Sequence, residues 1–203
     1  MMIIALEGGV CSGKTTLCRR LQEKGFMHVN EHMTFLSPQD WERFGQIDPV
    51  HRIDFLLAVE EKRQALMARL LDMGQNIVLD RTFLSLYAFE YAKGRFEKAE
   101  EFKEKRKSFL NPDMILFLSV DEQTRRRRSM QRGDSFTAES DFFLQDSFNN
   151  GLKSFFKENQ SYFNVRFLDS SHLTSDGICP LVCAPQKVSS FPIGECYDKS
   201  RLY

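Results

Sequence analysis

The chain has 203 residues, a length typical of one domain with a self-sufficient hydrophobic core. Its 28 lysines and arginines balance 28 aspartates and glutamates, so the net charge does not favour nucleic acid or an anionic membrane as a partner. No apolar run approaches the roughly 20 residues that span a bilayer, no signal peptide begins the chain, and the five cysteines lack the spacing of a disulfide framework, so we expect a cytoplasmic protein with reduced thiols.

The first predicted elements enclose a glycine-rich loop. Residues 8–15 fit the pattern G-x-x-x-x-G-K-[ST]; the apolar run Met2–Leu6 before them predicts a strand, and the pattern of Gly13–Lys24 predicts a helix. Strand, glycine loop and helix in this order predict a P-loop that binds a nucleoside triphosphate such as ATP, with its phosphates at the helix N-terminus. The residues expected to bind the phosphates are Gly8, Gly9, Val10, Cys11, Ser12, Gly13, Lys14, Thr15 and Thr16. The Lys14 ammonium would lie near the β/γ oxygens, and the Thr15 hydroxyl can ligate Mg²⁺.

Further apolar runs and helical patterns alternate along the chain. Alternation of this kind predicts an α/β fold with a five-stranded parallel sheet and helices on both faces. The later strands are expected at Phe26–Asn30, Asn76–Leu79, Met114–Ser119 and Asn164–Leu168. The later helices are expected at Pro49–Met73 (capped by Asp48), Thr82–Gly94, Arg95–Phe109, Asp121–Arg132 and Thr137–Tyr162. Periodicity fades near Ser170, which predicts a domain over 1–170 and an irregular extension over 171–203.

Acidic residues end several of the predicted strands. Glu31 follows the second strand and Asp80-Arg81 ends the third, at the edge of a parallel sheet where ligands bind. Asp80 could instead cap the helix near Thr82, and Glu31 could be an exposed loop acid. Asp121 follows the fourth strand, and we expect it to cap its own helix rather than to act in catalysis.

An arginine run on the fifth predicted helix, Asp121–Arg132, is the strongest local charge. Residues 125–128 are all arginine, and helical spacing places Arg125, Arg128 and Arg132 on one stripe. Such a stripe before a glycine suits a clamp on transferring phosphate. The alternatives are a solvated helix face or an RNA-binding cluster, and the acidic and polar stretch 134–141 argues against an extended nucleic-acid surface.

Histidines and cysteines form no recognisable metal motif. His172, Cys179, Cys183 and Cys196 match no common zinc-ligand spacing, so no structural zinc is predicted there. No role is assigned to His28, which has no recognisable partner in the sequence.

Together these segments make the chain similar to the deoxynucleoside kinase and thymidylate kinase group of P-loop kinases. The matching segments are 7–17, 29–31 and 76–85, followed by 112–113 and the Arg128…Arg132-Gly133 lid, and the resemblance covers roughly residues 2–170. The loop alone indicates nucleotide binding. The Asp-Arg-x-x-x-Ser element of Asp80, Arg81 and Ser85 is the segment that points to this group.

The resemblance implies roles for individual residues. Glu31 matches the acid that deprotonates the acceptor hydroxyl, Asp80 the acid that helps hold Mg²⁺, and Arg81 the residue that orients the acceptor. Arg128 and Arg132 match lid arginines that close over the triphosphate, and Lys14 and Thr15 keep their P-loop roles. These parts suit phosphoryl transfer, which needs in-line positioning, charge neutralisation and a base for a hydroxyl acceptor.

Departures from the group's pattern leave the acceptor open. Asn30 and His32 stand where thymidylate kinases place Arg and Pro, and nucleoside kinases also have Pro after the acid. A (deoxy)nucleoside hydroxyl is therefore favoured over a nucleoside monophosphate. Two alternative functions stay open. The chain could be a kinase for another hydroxyl compound, such as a sugar or an antibiotic, or it could be a nucleotide-dependent switch. Trp41 suits an acceptor pocket or the core, and a homodimer is compatible with the group.

Overall fold

One parallel sheet organises the protein. The computed structural model describes residues 1–133, 137–171 and 177, with side chains of 138–140 left aside. Within these residues five strands, all parallel, lie in the order β2-β3-β1-β4-β5. The predicted five-stranded parallel sheet is confirmed, with each strand end within two residues of its expected position. The strands are β1 Ile3–Gly8, β2 Met27–Val29, β3 Ile77–Asp80, β4 Met114–Ser119 and β5 Val165–Asp169.

Helices connect the strands and differ from expectation in three places. One predicted helix divides into α5 and α6, another divides into α8 and α9 at the extended Gln145, and α2 was not predicted. A capping box at Ser37 begins α2. The helices are α1 Lys14–Gln22, α2 Pro38–Gln46, α3 Arg52–Asp72, α4 Phe83–Ala92, α5 Phe96–Glu100, α6 Phe102–Lys105, α7 Glu122–Arg132, α8 Ala138–Leu144 and α9 Asp146–Glu158, with a 3₁₀ turn at His32–Phe35.

Capping residues explain several helix boundaries. The Asp121 carboxylate accepts a hydrogen bond from the Thr124 amide at 2.7 Å, and this bond lowers the pKa of Asp121 to about 2, so its predicted capping role is confirmed. The prediction that Asp48 caps α3 is wrong. Its carboxylate accepts from the amide of Val50 at 2.9 Å and forms a turn, so the helix begins three residues after Pro49.

Two apolar layers cover the two faces of the sheet. Side chains alternate along β1, so Ile3 and Ala5 join the layer under α3, α4 and α9, while Ile4 and Leu6 join the layer under α1. The first layer takes up many of the phenylalanines, and these rings pack mainly edge to face. The described helices include none with the length and apolar character that a membrane crossing needs. The predicted extension 171–203 lies outside the described residues, apart from Ser171 and Gly177.

Candidate active site

The glycine loop between β1 and α1 adopts backbone angles that its glycines allow. Gly13 precedes α1 with φ of 95° and Gly8 ends β1 with φ of 132°, both unfavourable for other residues. A Cβ on Gly8 would also lie 2.2 Å from the carbonyl oxygen of Leu118 on β4. Glycine is therefore required at position 8, because the loop lies close to the neighbouring strand. The loop leads directly into the N-terminus of α1.

Lys14 is buried inside this loop. Its ammonium donates to the carbonyl oxygens of Gly9 at 2.6 Å and Gly8 at 3.2 Å, and to the Ser12 hydroxyl at 3.3 Å. Burial, helped by the positive charge of Arg81, lowers the pKa of Lys14 to about 8. The loop thus holds a desolvated cation, which would bind the negative charge of phosphate oxygens strongly.

Thr15 and Asp80 place two oxygen ligands beside each other. The Thr15 hydroxyl donates to Asp80 Oδ2 at 2.5 Å, while Asp80 Oδ1 is buried and has no hydrogen-bond partner among the described residues. Thr82, not Asp80, caps α4 by accepting from the Leu84 amide, so the capping alternative for Asp80 is wrong. Mg²⁺ prefers hard oxygen ligands, and the unpartnered oxygen fits the Mg²⁺ that the resemblance implies.

Arg81 connects the acid at the end of β2 to the phosphate loop. Its Nε donates to Glu31 at 3.1 Å, its Nη1 donates to the Gly8 carbonyl oxygen at 3.0 Å, and its guanidinium lies 5.2 Å from the ring centre of Phe89. The Arg81 backbone has φ of 67°, a strained value for a non-glycine residue. Glu31 keeps 41% of its side chain exposed while Arg81 is only 10% exposed, so the acid faces the cleft and the guanidinium lies behind it.

Three buried residues that were assigned no role hold this arrangement in place. Arg63 on α3 is fully buried and donates to the Arg81 carbonyl oxygen at 2.8 Å and to Glu60 at 2.6 Å. His32, next to Glu31, has Nε2 2.8 Å from Glu60 Oε2 and 3.0 Å from Arg63 Nη1. Burial and the Arg63 charge lower the pKa of His32, so the imidazole is neutral. The sequence held two signals, the departure at His32 and the helical spacing that places Glu60 and Arg63 on the same face of α3 as the apolar Leu57 and Met67.

A second buried acid explains the serine of the recognition element. Glu7 on β1 accepts from the amide and the hydroxyl of Thr82, each at 2.8 Å, and from the hydroxyl of Ser85. Burial raises the pKa of Glu7, while the nearby Arg81 charge and these hydrogen bonds oppose that rise. The contacts tie the start of α4 to the strand that leads into the phosphate loop.

The arginine run divides between two roles. Arg128 donates to the carbonyl oxygens of Cys11 at 3.1 Å and Ser170 at 3.0 Å, which places it over the phosphate loop. Arg125 is buried instead and donates to the carbonyl oxygens of Leu144 and Val120, so the predicted stripe that included it is wrong. The reason is packing: α8 and α9 cover that side of α7. Arg132 lines the cleft, and the lid as a moving element stays a prediction.

A cleft of about 510 Å³ brings most of the predicted residues together. The predicted residues Gly8 and Gly9 contribute carbonyl oxygens to Lys14 and do not line it. Trp41 is 49% exposed on α2 and packs edge-on against Phe44, so it is neither core nor part of this cleft. The lining residues are Val10, Cys11, Ser12, Gly13, Lys14, Thr15, Thr16, Leu17, Glu31, Asp80, Arg81, Arg128, Gln131, Arg132 and Ser170.

Comparison with known proteins gives matches in sequence and in structure. A family model described as AAA domain matches residues 3–145. A thymidylate kinase of Leptospira borgpetersenii serovar Hardjo-bovis (strain L550) is 25% identical over 145 residues, which cover 66% of this chain and 71% of the relative.

Solved structures share the fold at low sequence identity. Deoxyadenosine kinase from M. mycoides, solved with bound dATP, superposes with a TM-score of 0.68 at 19% identity and covers 89% of this chain and 97% of its own. Thymidylate kinase from Candida albicans gives a TM-score of 0.67 at 19% identity, covering 89% of this chain and 88% of its own.

Proposed function

Because the chain belongs to the AAA domain family and its resemblance to the deoxynucleoside and thymidylate kinase group is confirmed, we propose that it transfers the γ-phosphoryl group of ATP to a (deoxy)nucleoside hydroxyl. One observation carries the choice of acceptor. Arg81 contacts both the exposed carboxylate of Glu31 and the phosphate loop, so a proton acceptor lies in the same cleft as the nucleotide site. A hydroxyl needs such a base, whereas an already ionised phosphate does not.

In this proposal each residue acts on charge or position. Glu31 accepts the proton of the attacking hydroxyl, and Arg81 orients the acceptor and stabilises the charge that develops. Lys14 and the loop amides bind the β/γ-phosphates, while Arg128 and Arg132 exclude water and neutralise the transferring group. Thr15 and Asp80 would hold Mg²⁺, which supplies charge neutralisation on the phosphate oxygens when bound with the nucleotide.

The direct test is phosphoryl transfer from ATP with Mg²⁺ to a panel of nucleosides, nucleoside monophosphates and unrelated alcohols, with the products identified by mass. We expect a nucleoside monophosphate as product. A nucleoside diphosphate would favour the thymidylate-type alternative, which the Leptospira relative supports. A phosphorylated sugar or antibiotic would identify the other hydroxyl acceptors, and nucleotide binding without any transfer would favour a switch.

Replacing Glu31 by Gln tests the base. Loss of a general base should lower kcat by roughly 10²–10⁴ with little change in the KM for ATP. Glu61→Gln, on the exposed surface of α3, is the matched control and should keep wild-type turnover. Turnover of Glu31→Gln close to the wild-type value would remove Glu31 from the chemistry. A homodimer and a cytoplasmic location stay predictions.

A further inference from the structure

Three side chains that bind transition metals meet on the α1 face of the sheet. Cys18 lies on α1, three residues after Thr15, His28 lies on β2 and Asp80 ends β3. The strand register pairs His28 with Val78, and alternation along β3 puts Val78 and Asp80 on the same face. The thiol sulfur, an imidazole nitrogen and a carboxylate oxygen of these residues all lie within 4.8 Å of one another.

Two atoms of this cluster are buried without a partner. Within the described part of the chain, His28 Nε2 and Asp80 Oδ1 form no hydrogen bond, although Asp80 is only 3% exposed. Buried polar atoms almost always bond to protein, water or an ion, so each exception indicates a missing group. Cys18 is fully buried in the apolar layer under α1, whereas His28 is partly exposed and gives the cluster access to solvent.

We propose that Cys18, His28 and Asp80 form a binding site for a divalent transition metal of the zinc class. Sulfur, nitrogen and oxygen ligands together suit Zn²⁺ and its neighbours and do not suit Mg²⁺. With bonds of about 2.0–2.3 Å, tetrahedral ligand atoms lie roughly 3.3–3.8 Å apart, so small side-chain rotations close the site. Binding releases the thiol proton to solvent, and the thiolate and carboxylate then neutralise the ion.

The site shares Asp80 with the proposed kinase centre, and this consequence depends on the proposed function. Thr15 and Cys18 lie on one side of α1, and both face the same carboxylate. A zinc-class ion held by Cys18 and His28 draws on the carboxylate that would help hold Mg²⁺. The structure thus contains a route by which a thiophilic metal inhibits phosphoryl transfer.

Co²⁺ provides a spectroscopic test that needs no turnover. Titration of the reduced full-length chain with Co²⁺ should give one equivalent bound and a thiolate-to-cobalt charge-transfer band. Cys18→Ala and His28→Gln should each weaken Co²⁺ binding by at least about 10-fold, the effect of even an outer-shell change, and Cys18→Ala should abolish the band. Cys11→Ala and His51→Gln change the same residue types elsewhere and should keep the charge-transfer band. The triple variant Cys179→Ala/Cys183→Ala/Cys196→Ala should also keep the band.

Each outcome decides the proposal. Circular dichroism of the metal-free variants establishes that they fold, and Cys18→Ser replaces the alanine variant if that one does not. The site is overturned if Co²⁺ does not bind stoichiometrically, or if the charge-transfer band is unchanged in both Cys18→Ala and His28→Gln. A bridging water would then be the partner of the two buried atoms.

Inhibition is measured separately as the turnover of each protein with Zn²⁺ divided by its own turnover without it. We expect a fall for the wild type and none for Cys18→Ala. Equal inhibition in both proteins overturns the inhibitory role. Failure to transfer phosphate would contradict the proposed kinase function and leave the Co²⁺ result standing.

Discussion

Two groups of ionisable side chains lie near the cleft and differ in their surroundings. His32, Glu60 and Arg63 are between 0% and 3% exposed and contact one another behind Arg81. Arg126 and Arg127 on α7 lie toward solvent, and Arg126 pairs with Glu122 at 2.8 Å on the helix surface. Both groups contain arginines that stand within a run of charged residues along a helix, residues 60–63 on α3 and 125–128 on α7.

The difference shows how burial changes the contribution of a charged side chain to the free energy of unfolding. A buried ion pair has lost its hydration, so removing one partner leaves the other charged and unsolvated. A surface pair keeps most of its water and is screened by salt, so its loss is small. We therefore expect the buried group to determine the stability of the cleft and its backbone, and the exposed α7 arginines to add little to stability.

The largest expected effect follows from replacing Arg63 by Met. The change leaves Glu60 buried without its partner and frees the carbonyl oxygen of Arg81, so the free energy of unfolding should fall by about 3–5 kcal/mol. Urea unfolding followed by circular dichroism measures this loss.

Arg126→Ala is the control for that comparison, since Arg126 is part of a surface pair on α7. Its unfolding midpoint should stay close to the wild-type value. If both variants lost the same stability, burial would not be the property that separates the two groups. The double variant Glu60→Gln/Arg63→Met should recover part of the loss, because no unpaired charge remains.

A smaller effect is expected at Arg128. Its guanidinium reaches the phosphate loop through Cys11, so Arg128→Ala should lower kcat by roughly 10²–10³, as removal of a charge-stabilising donor does, with little change in stability. Arg127→Ala, one residue away and exposed, should leave kcat near the wild-type value. Equal losses in the two variants would show that α7 contributes only diffuse positive charge.

The smallest expected effect is a proton taken up by Lys14. Its pKa of about 8 in the free protein should rise when phosphates bind, so calorimetry in buffers of different ionisation enthalpy should detect proton uptake between about pH 8 and 9. Lys14→Arg, which stays charged, should remove that uptake. Because the folded pKa lies below the unfolded value of 10.5, Lys14 should also make stability rise with pH between about 8 and 10.5. Uptake that persists in Lys14→Arg would identify another group.

The sequence by itself determined the strands, the glycine loop and most of the cleft residues. Apolar runs and helical spacing are local patterns, and the conformations at Gly8 and Gly13 are restrictions on single residues. The matching motifs also predicted Glu31, Asp80 and Arg81 as neighbours, because parallel strands end at one edge of the sheet.

Only the tertiary structure decided which charges are buried and which ligands converge. Arg63 stands in a run of charged residues to which the sequence assigns no role, and Arg125 is predicted as part of a clamp, yet both side chains are buried. Cys18, His28 and Asp80 lie far apart in the chain and meet through strand register and the packing of α1. Desolvation and convergence depend on contacts between distant segments, which local patterns in a sequence do not encode.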